Sequence, residues 1–205
     1  KVLVCNGEIY NYRLLKEGLL KNHNFCSNSD VEVILHLYED FGLDCFRYIK
    51  GMFAFALWDE REQALLLARD RFGMKPLYYF EEKGVLAFAS ELKALLSLSF
   101  IPRELDFEVL AMYFALEYIP SPFSPFKKIS KLLPANYLLY KRGKIIQKQY
   151  WDLPSDKAGN TSYGKAQKEL KDKLETSVSE HLISDVPVGV FLSGGVDSTI
   201  ITACS

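Results

Sequence analysis

Two apolar runs, Met52 to Trp58 and Ala64 to Arg69, flank the polar segment Asp59-Glu60-Arg61-Glu62-Gln63 and outline a hairpin. Both runs carry more apolar residues than a solvent-facing sheet tolerates, so both faces of the sheet must be covered. That requirement excludes a bare β-sheet and fits a β-rich domain with some helices to cover it. A second hairpin joins Pro76 to Phe80 with Val85 to Ala89 through a turn containing Lys83-Gly84. A third joins Tyr137 to Tyr140 with Ile145 to Tyr150 around Arg142-Gly143. A strand is expected at Val2 to Cys5, with helices near Arg13 to Lys21 and Asp30 to Phe41. Helices at Glu91 to Leu98 and Asp106 to Leu116 are candidates to cover part of the sheet. The proline-rich stretch Pro120 to Pro125 interrupts regular structure.

A polar segment, Asp152 to Ser162, reads as a linker between residues 1–151 and 163–205. Beyond it, Tyr163, Ala166, Leu170, Leu174, Val178 and Leu182 recur at helical spacing, with Lys and Glu on the outer face. Ser162 suits the start of that helix and Asp185-Val186-Pro187 its end. Val188 to Leu192 then reads as a fully buried strand, followed by Ser193-Gly194-Gly195-Val196-Asp197-Ser198 and a new apolar helix. Glycines between a strand and a helix allow several N–H groups to converge at the helix start, where the partial positive charge favours an anion. Ser193 and Ser198 supply hydroxyl donors, and Asp197 suits the magnesium ion that accompanies a polyphosphate such as ATP. No lysine follows the glycines, which separates this loop from the Walker A pattern. The competing reading is an ordinary strand-turn-helix corner capped by Ser or Asp.

Charge excludes some classes of function. With 25 basic and 26 acidic residues well mixed, the chain has no electrostatic footprint for nucleic acid or an anionic membrane. Its apolar stretches are far shorter than a bilayer span, and a cytoplasmic location is the expectation. The four cysteines lack C-x-x-C pairing, and His23, His36 and His181 are scattered singly, so neither a disulfide framework nor a zinc site is indicated.

Cys5-Asn6-Gly7-Glu8-Ile9-Tyr10-Asn11 is placed at the end of the first strand. Asn-Gly is first of all a turn signal. Its functional reading is an oxyanion hole, with the Asn6 amide and the Gly7 N–H aimed at one developing negative oxygen. Glu8 suits a substrate ammonium group. Asp30 is either a helix cap or a second carboxylate for that ammonium.

These motifs, together with Ser29-Asp30-x-Glu32, Gly51 to Ala56, Arg69-Asp70-Arg71-Phe72-Gly73-Met74-Lys75-Pro76-Leu77-Tyr78 and Ser90 to Leu95, resemble the glutamine-hydrolysing asparagine synthetase family. The resemblance covers essentially the whole chain. It implies an α+β N-terminal-nucleophile αββα sandwich over 1–151, the 152–162 linker, and the start of an α/β PP-loop (HUP-like) ATP-pyrophosphatase domain over 163–205. The family's reaction uses ATP, aspartate and glutamine as small-molecule partners, passes through β-aspartyl-AMP, and yields asparagine, glutamate, AMP and diphosphate by way of channelled ammonia. Neither nucleic acid nor a membrane enters it, and a homodimer is compatible with it. Carried onto matching positions, Asn6 and Gly7 form the oxyanion hole, while Glu8 and Asp30 hold the glutamine amino group. Leu192 lies at the nucleotide, and Ser193, Gly194, Gly195, Asp197 and Ser198 surround the pyrophosphate and its Mg.

The resemblance also sets expectations of absence. The family's nucleophile is a mature N-terminal cysteine that serves with its own α-amino group. The chain begins with Lys1 and both of its ends read as cut, so as it stands it is expected to lack glutaminase activity. Cys5, inside a strand and without a free amino terminus, reads as a core thiol. Arg69, Asp70 and Lys75 read as a buried ion-pair network that fixes the Gly73-Pro76 turn. His181 is placed either to face polyphosphate or to cap a helix end. Two alternatives stay open: a related amide-forming enzyme, such as a β-lactam synthetase or peptide cyclase, and a non-catalytic protein that kept the fold.

Overall fold

The computed structural model describes residues 1–154 and 161–205, which divide into the units Lys1–Asp152 and Leu153–Ser205. Most of the linker expected at 152–162 therefore lies outside the described residues.

In the first unit, β1 (Val2–Ile9), β2 (Gly51–Asp59), β3 (Ala64–Arg69), β7 (Asn136–Lys141) and β8 (Lys144–Gln149) form one sheet in the order β1-β2-β3-β7-β8. Every pairing in it is antiparallel. A second sheet has the order β5-β4-β6, from β4 (Tyr78–Glu82), β5 (Val85–Ala89) and β6 (Ile129–Lys131). All three hairpins read from the sequence are present. Short β6 carries too few residues to announce itself and goes unread.

Strand alternation sorts the side chains into layers. Phe53, Phe55 and Leu57 of β2, Leu66 and Ala68 of β3, and Tyr137 of β7 face one way. They pack on α1 (Tyr12–Glu17) and α2 (Val33–Phe41) through Leu15, Val33, Ile34 and Leu37. The intervening residues Ala54, Ala56, Leu67 and Leu138 face the second sheet, where they meet Leu77, Tyr79, Leu86 and Phe88. On the far side of that sheet, Phe80 and Ile129 pack on Leu95 of α3 (Leu92–Leu96). The result is the helix, sheet, sheet, helix sandwich that the resemblance implies. Fully burying a Phe55 or a Leu67 stabilises it by about 1.5–3 kcal/mol each.

Two expectations change in this unit. β1 runs to Ile9 rather than stopping at Cys5, so Asn6-Gly7 lies within a strand and makes no turn. The helix α4 (Phe107–Leu116) is capped by Asp106, whose carboxylate accepts the N–H groups of Glu108 and Val109. It covers the sheet poorly, since Val109 is its only buried residue while Phe107, Tyr113 and Phe114 are exposed. Its apolar residues are spread around the helix instead of gathered on one stripe.

The second unit holds α5 (Tyr163–His181) and α6 (Val196–Cys204). Ser162 occupies the N-cap position of α5 without a side-chain capping bond. Val188 to Leu192 is neither strand nor buried, Phe191 being 98% exposed. A strand exists only through hydrogen bonds to a neighbour, and no described residue pairs with this segment.

Candidate active site

β1 is an edge strand, so one of its margins carries no strand partner. Ile9 N–H points to that margin and donates to Asp30 Oδ2 at 2.6 Å, whereas Tyr10 N–H points inward to the Lys50 carbonyl at 2.9 Å. Successive N–H groups alternate in direction along a strand, which places Gly7 N–H on the same outer margin as Ile9 N–H. Asp30 does not cap α2, whose N-cap is Glu32. Among the described residues its side chain is engaged through Oδ2.

Asn6 and Glu8 share one exposed face of β1, two residues apart. The Asn6 side-chain amide donates to Ser90 Oγ at 3.3 Å, across 84 residues of chain. Gly7 has φ +156°, and a Cβ placed there would lie 2.1 Å from the Met52 carbonyl oxygen. Opposite it, a Cβ on Gly51 would lie 2.2 Å from the Glu8 carbonyl oxygen. The two strands therefore meet backbone against backbone at this point, and glycine is required on both sides. The structure thus brings Asn6, Gly7, Glu8 and Asp30 to one end of β1.

The Arg69 to Lys75 loop borders β2 at the same end. Asp70 is 1% exposed, and its carboxylate accepts N–H groups from Phe72, Met74 and Lys75 at 2.9–3.1 Å and from Phe53 at 3.3 Å. Arg69 donates from Nε to the Lys75 carbonyl, from Nη1 to Leu132 and from Nη2 to Gly73, each at 2.7 Å. The expected ion-pair network is replaced by two charges that each bind backbone, because the tight turn exposes unpaired N–H and C=O groups that ions satisfy well. Gly73, at φ +66°, sits against Pro134 and the Arg69 guanidinium with no room for a Cβ.

Cys5 packs toward the helix layer. Burial pushes its thiol up to about 12, the Asp30 carboxylate adds to the shift, and the Lys75 ammonium opposes it. A thiol so hard to ionise is a poor nucleophile, in keeping with a core role. All four cysteines are free.

In the second unit, Gly194 turns at φ +82° and Gly195 takes the N-cap of α6. Gly195 offers no side chain to the first turn, which leaves its N–H groups for an external anion. Ser193 Oγ and Ser198 Oγ lie 2.9 Å apart, and a Cβ on Gly195 would sit 3.6 and 3.8 Å from them. Ser198 Oγ also lies 3.0 Å from the Gly195 carbonyl, to which it donates, and Asp197 stands in the same first turn. Leu192 precedes it, 60% exposed. His181 ends α5 with Nδ1 2.7 Å from the Ser177 carbonyl oxygen, a helix-end position.

Two features escaped sequence reasoning. Ser90 reaches Asn6 only because the two sheets stack. His23 and His36, read as isolated, stand with ring centroids 4.6 Å apart beside Glu39. The spacing of His36, Glu39 and Asp40 along one helix was a legible signal. The approach of His23 from the preceding loop was not.

Residues 1–151 match the family model described as a glutamine amidotransferase domain, and residues 169–205 match the model described as asparagine synthase. Asparagine synthetase [glutamine-hydrolyzing] 3 of Bacillus subtilis is 38% identical over 98% of this chain and 33% of its own length. Asparagine synthetase [glutamine-hydrolyzing] 1 of the same organism is 38% identical over 98% of this chain and 32% of its own length. An amidase of Penicillium rubens is 33% identical over 96% of this chain and 29% of its own. The chain thus spans about a third of the length of these curated relatives. Among solved structures, the glutamine phosphoribosylpyrophosphate amidotransferase of Bacillus subtilis superposes with a TM-score of 0.51 at 18% identity. That match covers 98% of this chain and 43% of the other, and it supports the fold alone.

Proposed function

The chain belongs to the glutamine amidotransferase domain family, and from that premise we propose that it serves a glutamine-hydrolysing, ATP-dependent asparagine synthetase. The observation that carries the reading is the presence in one chain of that domain match and of an asparagine synthase match that includes the glycine turn at Ser193 to Ser198. Glutamine, aspartate and ATP are its small-molecule partners, with a homodimer as a compatible assembly. A cytoplasmic setting agrees with ATP use and four unbridged thiols.

In the first unit, the Asn6 amide and Gly7 N–H are the donors for the oxygen that becomes negative when the glutamine amide carbon is attacked. Ser90 holds Asn6 in place. Glu8 and the second oxygen of Asp30 receive the substrate ammonium. Water and glutamine then yield glutamate and ammonia. Cys5 takes no part as nucleophile, because its thiol stays protonated.

In the second unit, Ser193, Gly194, Gly195 and Ser198 hold the pyrophosphate of ATP, with Leu192 at the nucleotide. Asp197 would hold magnesium, which supplies charge neutralisation for the leaving diphosphate. Aspartate displaces diphosphate from ATP to give β-aspartyl-AMP, and ammonia displaces AMP from that species to give asparagine.

The test supplies the full-length protein with ATP, aspartate and glutamine and follows asparagine, AMP and diphosphate together. Equal yields of the three are expected. Diphosphate release that is indifferent to aspartate would sink the assignment. The similarity to a protein named an amidase supports a second reading, amide chemistry on a substrate other than aspartate, which a substrate scan with the same readout decides.

A further inference from the structure

The connector between α1 and α2 carries His23, and α2 itself carries Glu39 and His36 on one face, three residues apart. None of these residues belongs to the candidate active site. A ligand atom from each of the three lies within 4.8 Å of the others. Glu39 Oε2 is 3.1 Å from His36 Nδ1 and 3.8 Å from His23 Nδ1. Ligands bound tetrahedrally at about 2.0–2.1 Å from zinc stand about 3.3 Å apart, so the two distances to Glu39 are already near that spacing.

The far sides of the imidazoles strengthen the case. His23 Nε2 is 2.9 Å from Asp40 Oδ2, and His36 Nε2 faces Glu32 Oε1 at 3.6 Å. His36 Nε2 is buried and has no hydrogen-bond partner among the described residues. The Asp40 carboxylate behind His23 favours the tautomer with hydrogen on Nε2, which turns the His23 Nδ1 lone pair toward Glu39 Oε2, while His36 Nδ1 lies within hydrogen-bond distance of the same oxygen at 3.1 Å. The three side chains converge on one point, where a cation can take the place of the proton shared between His36 Nδ1 and Glu39 Oε2. The Lys1 ammonium occupies the other Glu39 oxygen, Oε1, at 3.2 Å and leaves Oε2 for the ion.

We propose that His23, His36 and Glu39 bind a divalent transition-metal ion of the zinc class and that this ion clasps the α1–α2 connector to α2. Two imidazoles and one carboxylate suit zinc over magnesium or calcium, which prefer all-oxygen shells. Three protein ligands leave a fourth position for water. The role is structural: the ion fastens the loop carrying Leu20 and Phe25, both packed against the helix-side core, to the helix beneath it.

The experiment strips the protein with a chelator and titrates it with Co2+ as a coloured stand-in, then displaces Co2+ with Zn2+. Saturable binding at one ion per chain is expected, with the visible absorption of a tetrahedral nitrogen and oxygen site. Zn2+ at 100 times its Kd lowers the unfolding equilibrium constant about 100-fold, which appears as a higher Tm. His23→Ala and His36→Gln each weaken binding at least about 10-fold, and Asp40→Asn about 10-fold through His23. His181→Ala leaves it unchanged. His23→Ala keeps α2 intact, so its circular dichroism separates loss of the ion from loss of the fold. Absence of saturable binding overturns the proposal, as does binding that survives both histidine substitutions.

Discussion

Asn6 and Ser90, 84 residues apart, meet at 3.3 Å and tie the outer strand of the five-stranded sheet to the end of the outer strand of the three-stranded one. The proposed oxyanion donor is thereby held by the stacking of the sheets as well as by its own strand. Asn6→Ala in the full-length protein is expected to lower kcat for glutamine-dependent synthesis about 10²–10³-fold. Synthesis driven by added ammonia stays unchanged. A matched loss in both assays would place Asn6 outside glutamine chemistry. Ser90→Ala, which removes only the positioning contact, lowers the glutamine-dependent rate less.

Gly7→Ala is expected to destabilise the first unit by about 3 kcal/mol or more, since the new methyl would meet the Met52 carbonyl and neither backbone can give way easily. Gly51→Ala has a similar effect for the mirrored reason. Urea unfolding curves of each variant measure it, and a shift below about 0.5 kcal/mol contradicts the close approach of the strands.

Asp70→Ala removes one acceptor from four backbone N–H groups at once. A loss of about 3–5 kcal/mol is expected, the range for uncovering buried partners of a charge. Asp70→Asn retains some acceptor capacity and loses less. Equal losses in the two variants would show that packing, not hydrogen bonding, holds the turn.

Cys45, fully buried, has its thiol pushed up to about 12 by desolvation, with the Asp44 carboxylate adding to the shift and hydrogen bonds opposing it. Its folded-state value lies above the unfolded reference of 9.0, so its contribution to stability is complete below pH 9.0 and disappears as pH rises toward about 12. Cys5 behaves alike. In iodoacetamide labelling of the folded protein near neutral pH, exposed Cys26 reacts and these two do not, as peptide mass spectrometry reads directly. Modification of Cys5 at a rate equal to that of Cys26 would refute its core assignment.

Asp197→Ala is expected to abolish aspartate-dependent diphosphate release in the full-length protein while leaving glutamine hydrolysis intact. Unchanged release rules out the magnesium role.

The fold was legible where local pattern and tertiary demand coincide. The alternation of Phe53, Ala54, Phe55 and Ala56 is a strand with two covered faces, and the structure sends the phenylalanines to the helices and the alanines to the second sheet. It was illegible where the pattern is ambiguous or the partner distant. Asn6-Gly7 has the composition of a turn, yet pairing with Phe53 and Ala54 holds it extended. Val188 to Leu192 has the composition of a buried strand and lacks a described neighbour to make it one. Of the candidate site, Asn6, Gly7, Glu8 and Asp30 could be named from motifs. The backbone duties of Arg69 and Asp70, the support from Ser90 and the histidine pair required three dimensions.

The glycine contact between β1 and β2 also divides labour. Because Gly7 and Gly51 bring no side chains to the seam, neither of them can alter what the outer margin of β1 presents. On the proposed reading, variation in ligand choice enters beside the seam, through Met52 and Ala54 of β2 and the loops bearing Asp30, Lys75 and Ser90, while the seam stays fixed. A family built on this plan can change its substrates without redrawing its donors.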